Sequence, residues 1–173
     1  WEAKRIAFGE KLFAKRSRKG YNTYEAKKTM RERNYFGCMM VETGEADAVI
    51  TGLTRKYPDT LRPVLEIIGV DSQVKKIAGM YVMLTKRGPI CFADTTINEF
   101  PTAQELVDIT LLAAEKLRNL NITPRVAMLS YSNFGSSNLS EAKKVRDAVE
   151  ILHEKQYFYS ISYFFSLTQI VRD

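Results

Sequence analysis

Residues 78–155 alternate strand-length apolar runs with amphipathic helical patterns, and this alternation constrains the fold more than any other feature of the sequence. AGMYVML (78–84) and PICFAD (89–94) predict two strands, and the four residues between them predict a hairpin turn. RVAMLS (125–130) predicts a third strand. Because helical patterns lie between and after these strands, we expect an α/β sheet in which some strands are parallel.

Two long helices are predicted in the same region. One begins at Thr102, which has the spacing of a capping box with Glu105. The other covers SEAKKVRDAVEILHEK at 140–155. The predicted inward side chains are Leu106, Ile109, Leu112, Ala113 and Leu117 in the first helix, and Val145, Ala148, Val149 and Leu152 in the second.

The regions before and after this core carry weaker patterns. Residues 2–19 predict a helix, or a helix followed by a basic loop, and Gly20 ends this segment. Residues 23–33 predict a short helix capped by Thr23, and residues 47–52 a buried strand. A further helix is predicted to be capped by Asp59 or Thr60, to have Pro63 in its first turn and to end at Gly69. Residues 156–173 alternate aromatic with Ser/Thr side chains and predict a strand.

Charge is distributed unevenly along a chain whose 45% hydrophobic residues indicate a folded globular protein. Residues 1–33 hold eleven Lys/Arg and four Asp/Glu, a net charge of +7, which leaves −1 for the other 140 residues. The basic block at 15–20 is suited to nucleic acid, an anionic membrane or the phosphates of a nucleotide-like ligand, or it is a solvated helix end. It lacks the aromatic interleaving and motifs of nucleic-acid-binding modules. We therefore expect neither a nucleic-acid nor a membrane partner.

Cysteine and histidine are too few for several classes of site. Two cysteines, Cys38 and Cys91, exclude a disulfide framework and a cysteine-rich zinc site, and they fit a reducing cytoplasm. His153 is the only histidine and lies in a Lys/Glu-rich helical pattern, where a solvated position is expected. We predict no metal site.

Two further segments are candidates for anion binding. The loop after the 125–130 strand carries Ser130, Ser132, Asn133, Gly135 and Ser136 between a strand end and a helix start, where free N–H groups favour anions. Serine, asparagine and glycine are also ordinary loop residues. Arg62, in the sequence TLRP, is able to hold a phosphate or carboxylate with its fork of donors, or it is a solvated surface arginine.

Five motifs in one order resemble the phosphate acetyltransferase (phosphotransacetylase) family: RSRKG, EADAVITG…DTLRP, FADTTINEFPTAQELVDIT, RVAMLSYSNFGSS and KVRDAVEIL. The resemblance covers residues 2–155 and is strongest to the domain fused C-terminally to bacterial NADP-dependent malic enzymes. It implies a three-layer α/β sheet with helices on both faces, like isocitrate and isopropylmalate dehydrogenases, incomplete here. Residues 1–70 would be part of a first lobe and 71–155 the start of a second, leaving 156–173 unassigned.

The resemblance implies acyl exchange between acetyl phosphate and CoA. Carried to this sequence, it makes Arg62, Ser130 and Ser132 catalytic, and it assigns substrate or CoA binding to Arg16, Lys19, Thr60, Asn133, Gly135 and Ser136. It implies a homo-oligomer, a dimer or larger, and no covalently bound cofactor. CoA or acetyl-CoA would be a substrate or an effector.

The sequence departs from the family after Lys155. The family's later strand, second lobe and C-terminal segment, which supplies a serine, an arginine and an aspartate of its active site, have no counterpart here. We therefore expect a fragment that does not turn substrate over. The alternative is a non-catalytic domain of a malic enzyme that senses acetyl-CoA and promotes oligomerisation.

Overall fold

The computed structural model describes residues 1–72, 74–132 and 137–155, together with the backbone of residues 161–164. It divides into two compact units, Trp1–Ser72 and Gln73–Asp173, each described by itself below. How these units correspond to the predicted lobes stays a prediction.

The first unit consists of helices. They are α1 (Glu2–Arg16), a short 3-10 turn (Ser17–Lys19), α2 (Thr23–Thr29), α3 (Arg33–Glu42) and α4 (Tyr57–Ile67). Their apolar faces meet in a core of Phe8, Leu12, Ala26, Met30, Cys38, Met39 and Ile67. Helix α1 packs on α2, and α3 packs on α4.

The contact between α1 and α2 depends on a glycine. A Cβ atom at Gly9 would lie 2.6 Å from Lys27 Cγ and 2.8 Å from Lys27 Cα, so only glycine permits this approach of the two backbones. Arg5, which is 8% exposed, donates a hydrogen bond of 2.7 Å from Nη1 to the carbonyl oxygen of Lys27. The two helices are therefore joined by close packing and by a buried polar contact.

Several predictions for the first unit need correction. Residues 47–52 form no strand, because residues 1–72 contain only helices and a strand there has no partner with which to pair. The caps also differ: Asn22 rather than Thr23 caps α2. Helix α4 begins at Tyr57, which places Pro63 inside the helix instead of in its first turn. The helix predicted from residue 2 is confirmed, but it ends at Arg16, and Gly20, with φ 94°, ends the 3-10 turn that follows it.

The second unit contains the strands. An antiparallel hairpin joins β1 (Met80–Thr85) to β2 (Gly88–Ala93), and β3 (Val126–Leu129) pairs in parallel with β4 (Ile161–Phe164). The hairpin is confirmed, but its turn has two residues rather than four, since Thr85 pairs with Gly88. The parallel pair confirms the predicted α/β character. The part of residues 156–173 outside β4 lies beyond the described residues.

Two helices cover these strands. They are α5 (Ala103–Asn119) and α6 (Ser140–Glu154), which pack against each other around a core of Val107, Met128, Val145, Ala148, Val149 and Leu152. The capping box of Thr102 and Glu105 and the inward face of α6 are confirmed.

The predicted inward face of α5 was only partly correct. Of the five predicted side chains only Ile109 is fully buried, and Val107, Thr110 and Ala114 replace the others. Thr110 tolerates burial because its hydroxyl donates to the carbonyl oxygen of Leu106 at 2.7 Å. A hydrophobic pattern alone does not reveal such a residue.

Candidate functional site

Arg16 is the last residue of α1 and reaches toward α4. Its Nη2 atom lies 3.7 Å from Oε1 of Glu66, and the two side chains are 19% and 17% exposed. Its Nε atom is buried and has no hydrogen-bond partner among the described residues. An unpartnered guanidinium donor at this depth is unusual, because buried donors are nearly always paired.

Glu66 joins three segments of the first unit. Its Oε2 atom accepts hydrogen bonds from the hydroxyl groups of Tyr21, at 2.9 Å, and Tyr35, at 2.7 Å. Burial, reinforced by the neighbouring Glu66 carboxylate, raises the pKa of both tyrosines, so the phenols stay protonated and continue to donate. Sequence reasoning missed these three residues because nothing local in the sequence links them.

Arg62 lies one helical turn before Glu66 on α4. Residues four apart share a face of a helix, so Arg62 and Glu66 are on the same side of α4. Arg62 and Lys19 are exposed, and neither forms an ion pair within the described part of the chain. Thr60 donates its hydroxyl to the carbonyl oxygen of Lys56 at 3.3 Å, a contact within the first turn of α4.

The serine loop in the second unit is held together by its own hydroxyl groups. Ser130 Oγ accepts the Ser132 N–H at 3.1 Å, and Ser132 Oγ accepts the Ser137 N–H at 3.1 Å. Ser132 is only 4% exposed. The structure thus brings Ser130 and Ser132 together, whereas Asn133, Gly135 and Ser136 lie outside the described residues.

Asp94, just after β2, organises the connection from the hairpin to α5. Its carboxylate accepts backbone N–H groups of Gly79, Thr96, Ile97 and Asn98, together with the Asn98 side-chain amide. Burial opposes the charge, but these donors outweigh it and lower the pKa of Asp94. This geometry favours a structural role for Asp94 over acid–base chemistry.

A cavity of about 460 Å³ lies between β2, β3 and α5 in the second unit. Its wall includes Cys91, Leu106, Ile109 and Met128, with Thr95 and Asn98 as polar members. The Thr95 hydroxyl is buried without a hydrogen-bond partner in the described structure. None of the site residues predicted from the sequence is in this wall.

Other kinds of site find no support in the described ranges. Residues 1–72, 74–132 and 137–155 contain no group of three His, Cys, Asp or Glu side chains placed to hold a metal ion. No helix in those ranges has the length and apolar character needed to cross a membrane. Burial raises the pKa of the Cys38 thiol, which disfavours a reactive thiolate there. His153 is exposed on α6, as predicted.

A family profile described as phosphate acetyl/butaryl transferase matches residues 2–162. The chain belongs to this family. The match confirms the resemblance inferred from the sequence motifs. Helices with a small sheet also agree with the solved structures of the family.

Relatives of two kinds are similar to the chain. The phosphate acetyltransferase of Bacillus subtilis is 42% identical over 139 residues, which are 80% of this chain and 43% of that protein. The NADP-dependent malic enzyme of Escherichia coli is 42% identical over 119 residues, which are 69% of this chain and 16% of the enzyme.

A solved phosphotransacetylase from Streptococcus pyogenes superposes with a TM-score of 0.74 at 31% identity, covering 97% of this chain and 52% of that one. The chain therefore spans about half the length of this structure and less than half of the two curated relatives.

Proposed function

We propose that the chain is a phosphotransacetylase-type domain that binds CoA and acetyl phosphate for exchange of the acetyl group between them. The observation that carries the proposal is that two arginines neighbour Glu66: Arg16 lies 3.7 Å from its Oε1 atom, and Arg62 lies one helical turn before it on α4. Arginine is well suited to phosphate because its planar fork of donors matches two phosphate oxygens. Membership of the family gives this pair a substrate class.

In the proposed exchange the CoA thiol loses its proton and the sulfur attacks the carbonyl carbon of acetyl phosphate. A carbon–sulfur bond forms, the bond from that carbon to the bridging phosphate oxygen breaks, and the inorganic phosphate that leaves takes up the proton lost by the thiol. Arg62 would hold the acyl phosphate, and Arg16 with Lys19 a phosphate of CoA.

Binding is the decisive assay, because it tests the contribution of each arginine without requiring turnover. We expect Arg62→Ala to weaken acetyl phosphate binding about 10-fold by calorimetry, the loss of a charged hydrogen-bonded contact. The matched control is Arg55→Ala, an exposed arginine just before α4 whose contact is a 3.6 Å ion pair with Glu32. If both variants weaken acetyl phosphate binding equally, the loss is explained by the change in net charge, and the proposal is contradicted.

The second candidate is an effector domain of a malic enzyme that binds acetyl-CoA without turnover and promotes oligomerisation. Its support is the presence of malic enzymes among the relatives. Calorimetry with acetyl phosphate and with acetyl-CoA separates the two functions. Acetyl phosphate binding that is weakened in Arg62→Ala favours the transferase domain, whereas binding of acetyl-CoA without binding of acetyl phosphate favours the effector domain.

The remaining features belong to the same proposal. We propose a homo-oligomer in the cytoplasm whose complete fold is the three-layer, dehydrogenase-like sheet with helices on both faces. Sedimentation equilibrium tests the oligomeric state, and a monomer at all concentrations would contradict it.

A further inference from the structure

We propose that Glu66, held by the phenols of Tyr21 and Tyr35, is a positioning residue that keeps the Arg16 guanidinium available to a phosphate of CoA. The inference rests on the proposed function, in which Arg16 binds that phosphate. It assigns a purpose to three residues that lie far apart in the sequence and meet at one carboxylate.

The two oxygen atoms of Glu66 have different partners. Oε2 accepts from both tyrosine hydroxyls, so Oε1 is the oxygen that faces Arg16. The 3.7 Å separation of Oε1 from Nη2 is longer than the roughly 2.7–3.2 Å of a hydrogen bond. Glu66 therefore compensates the guanidinium charge without occupying its donors in a bidentate pair.

Burial explains why Arg16 needs such a partner. With the side chain only 19% exposed, a guanidinium without a nearby carboxylate would be a poorly compensated charge. A guanidinium in a full bidentate pair would instead have its donors occupied. The contact with Oε1 alone compensates the charge and does not occupy the guanidinium donors in a bidentate pair.

The tyrosines make this arrangement rigid. Both rings pack against the core of the first unit, and Tyr21 follows Gly20, whose φ of 94° turns the chain after α1. Because burial keeps their phenols protonated, they donate to Oε2 across the neutral pH range. Glu66 is thus prevented from turning its second oxygen toward Arg16.

A double-mutant cycle on CoA affinity tests the proposal. We expect calorimetry to show about 10-fold weaker CoA binding for Arg16→Ala and about 5-fold weaker binding for Glu66→Gln. In the Arg16→Ala background, Glu66→Gln should change the affinity less than about 2-fold, because its target is then missing. A merely structural role of Glu66 would give the same loss in both backgrounds.

Tyr35→Phe is a second variant that keeps the ring and its packing. It removes one of the two donors to Oε2, so Glu66 is free to pair more fully with Arg16, and we expect about 2-fold to 3-fold weaker CoA binding. The matched control is Glu42→Gln, which removes the carboxylate that Lys15 contacts in the last turn of α1. We expect CoA affinity of this control to equal that of the wild type.

The outcomes separate the inference from the function on which it rests. Unchanged CoA affinity in Arg16→Ala would contradict the proposed function itself. If Arg16→Ala weakens CoA binding but both Glu66→Gln and Tyr35→Phe leave the CoA affinity unchanged or raise it, only the positioning role is contradicted. A higher CoA affinity in these two variants would mean that Glu66 competes with the ligand for Arg16. Thermal unfolding tests whether each variant is folded. If Glu66→Gln is not folded, the CoA affinity of Tyr35→Phe decides the question.

Discussion

Asp94 shows how one side chain can organise a connection between elements. Its five N–H donors come from Gly79, before β1, and from the turn that leads into α5. A carboxylate so surrounded stabilises the folded state in its charged form, because each donor would otherwise lack a partner.

We predict that Asp94→Asn lowers the free energy of unfolding by about 2 kcal/mol, since an amide nitrogen would then face N–H donors. Urea unfolding at neutral pH measures the change. Glu99→Gln, an exposed carboxyl in the same segment, is the matched control and should change stability by less than about 0.5 kcal/mol. Equal effects of the two variants would rule out the special role of Asp94.

The lowered pKa of Asp94 also predicts that the free energy of unfolding depends on pH. The pKa of Asp94 is lower in the folded chain than the value of about 3.9 expected in the unfolded chain. The contribution of this carboxylate to the free energy of unfolding is therefore fully present at a pH above about 3.9. This stability contribution is lost as the pH falls through the lowered pKa that Asp94 has in the folded state. The stability difference between wild type and Asp94→Asn should therefore shrink below about pH 4, and a constant difference down to pH 2 would contradict this reasoning.

Residues with a local signal could be predicted, whereas long-range partners could not. Arg16 and Arg62 stand out because their residue type and sequence context indicate anion binding. Glu66 and Tyr35 are 31 residues apart and carry no such signal, and their meeting depends on the packing of α3 against α4. The sequence therefore predicted the candidate ligand-binding groups but not what orients them.

At the level of elements, the close contact between α1 and α2 at Gly9 predicts how a substitution there changes stability. Gly9→Ala should raise the helix propensity of α1, but its Cβ would lie 2.8 Å from the Lys27 backbone. Because backbone cannot move aside as a side chain can, we expect a net loss of about 1–3 kcal/mol in the free energy of unfolding.

The matched control for this prediction is Gly37→Ala in α3. Its added Cβ would meet only the Val49 Cγ2 atom, at 3.1 Å, and the gain in helix propensity offsets that contact. Urea unfolding of both variants should show the larger loss for Gly9→Ala. A larger loss for Gly37→Ala would contradict the packing described for α1 and α2.

Elements whose signal is local were predicted well. The capping box at Thr102 and the apolar face of α6 required nothing beyond neighbouring residues. Residues 47–52 have an equally apolar sequence but form no strand, because a strand requires a partner that the first unit does not contain. Helix α3 was missed since its apolar residues follow no clear helical period.

At the scale of the whole molecule, the net charge of +6 gains a more specific meaning. The excess positive charge lies in residues 1–33, the segment that contains α1, α2 and Arg16. Part of it is compensated by carboxylates that lie beyond residue 33 in the sequence, for example in the ion pairs of Lys4 with Glu45 and of Lys15 with Glu42. The charge therefore favours a small anionic ligand held at a few positions over a broad surface for nucleic acid.

Calorimetric titration of CoA into the wild-type chain and Arg16→Ala tests most directly whether the chain binds CoA through Arg16. Arg33→Ala, which removes the same charge from the exposed start of α3, is the control. We predict saturable binding that is about 10-fold weaker in Arg16→Ala and unchanged in Arg33→Ala, as expected for the loss of a charged hydrogen-bonded contact. Equal affinity of Arg16→Ala and wild type, or no binding by either, would contradict the assignment.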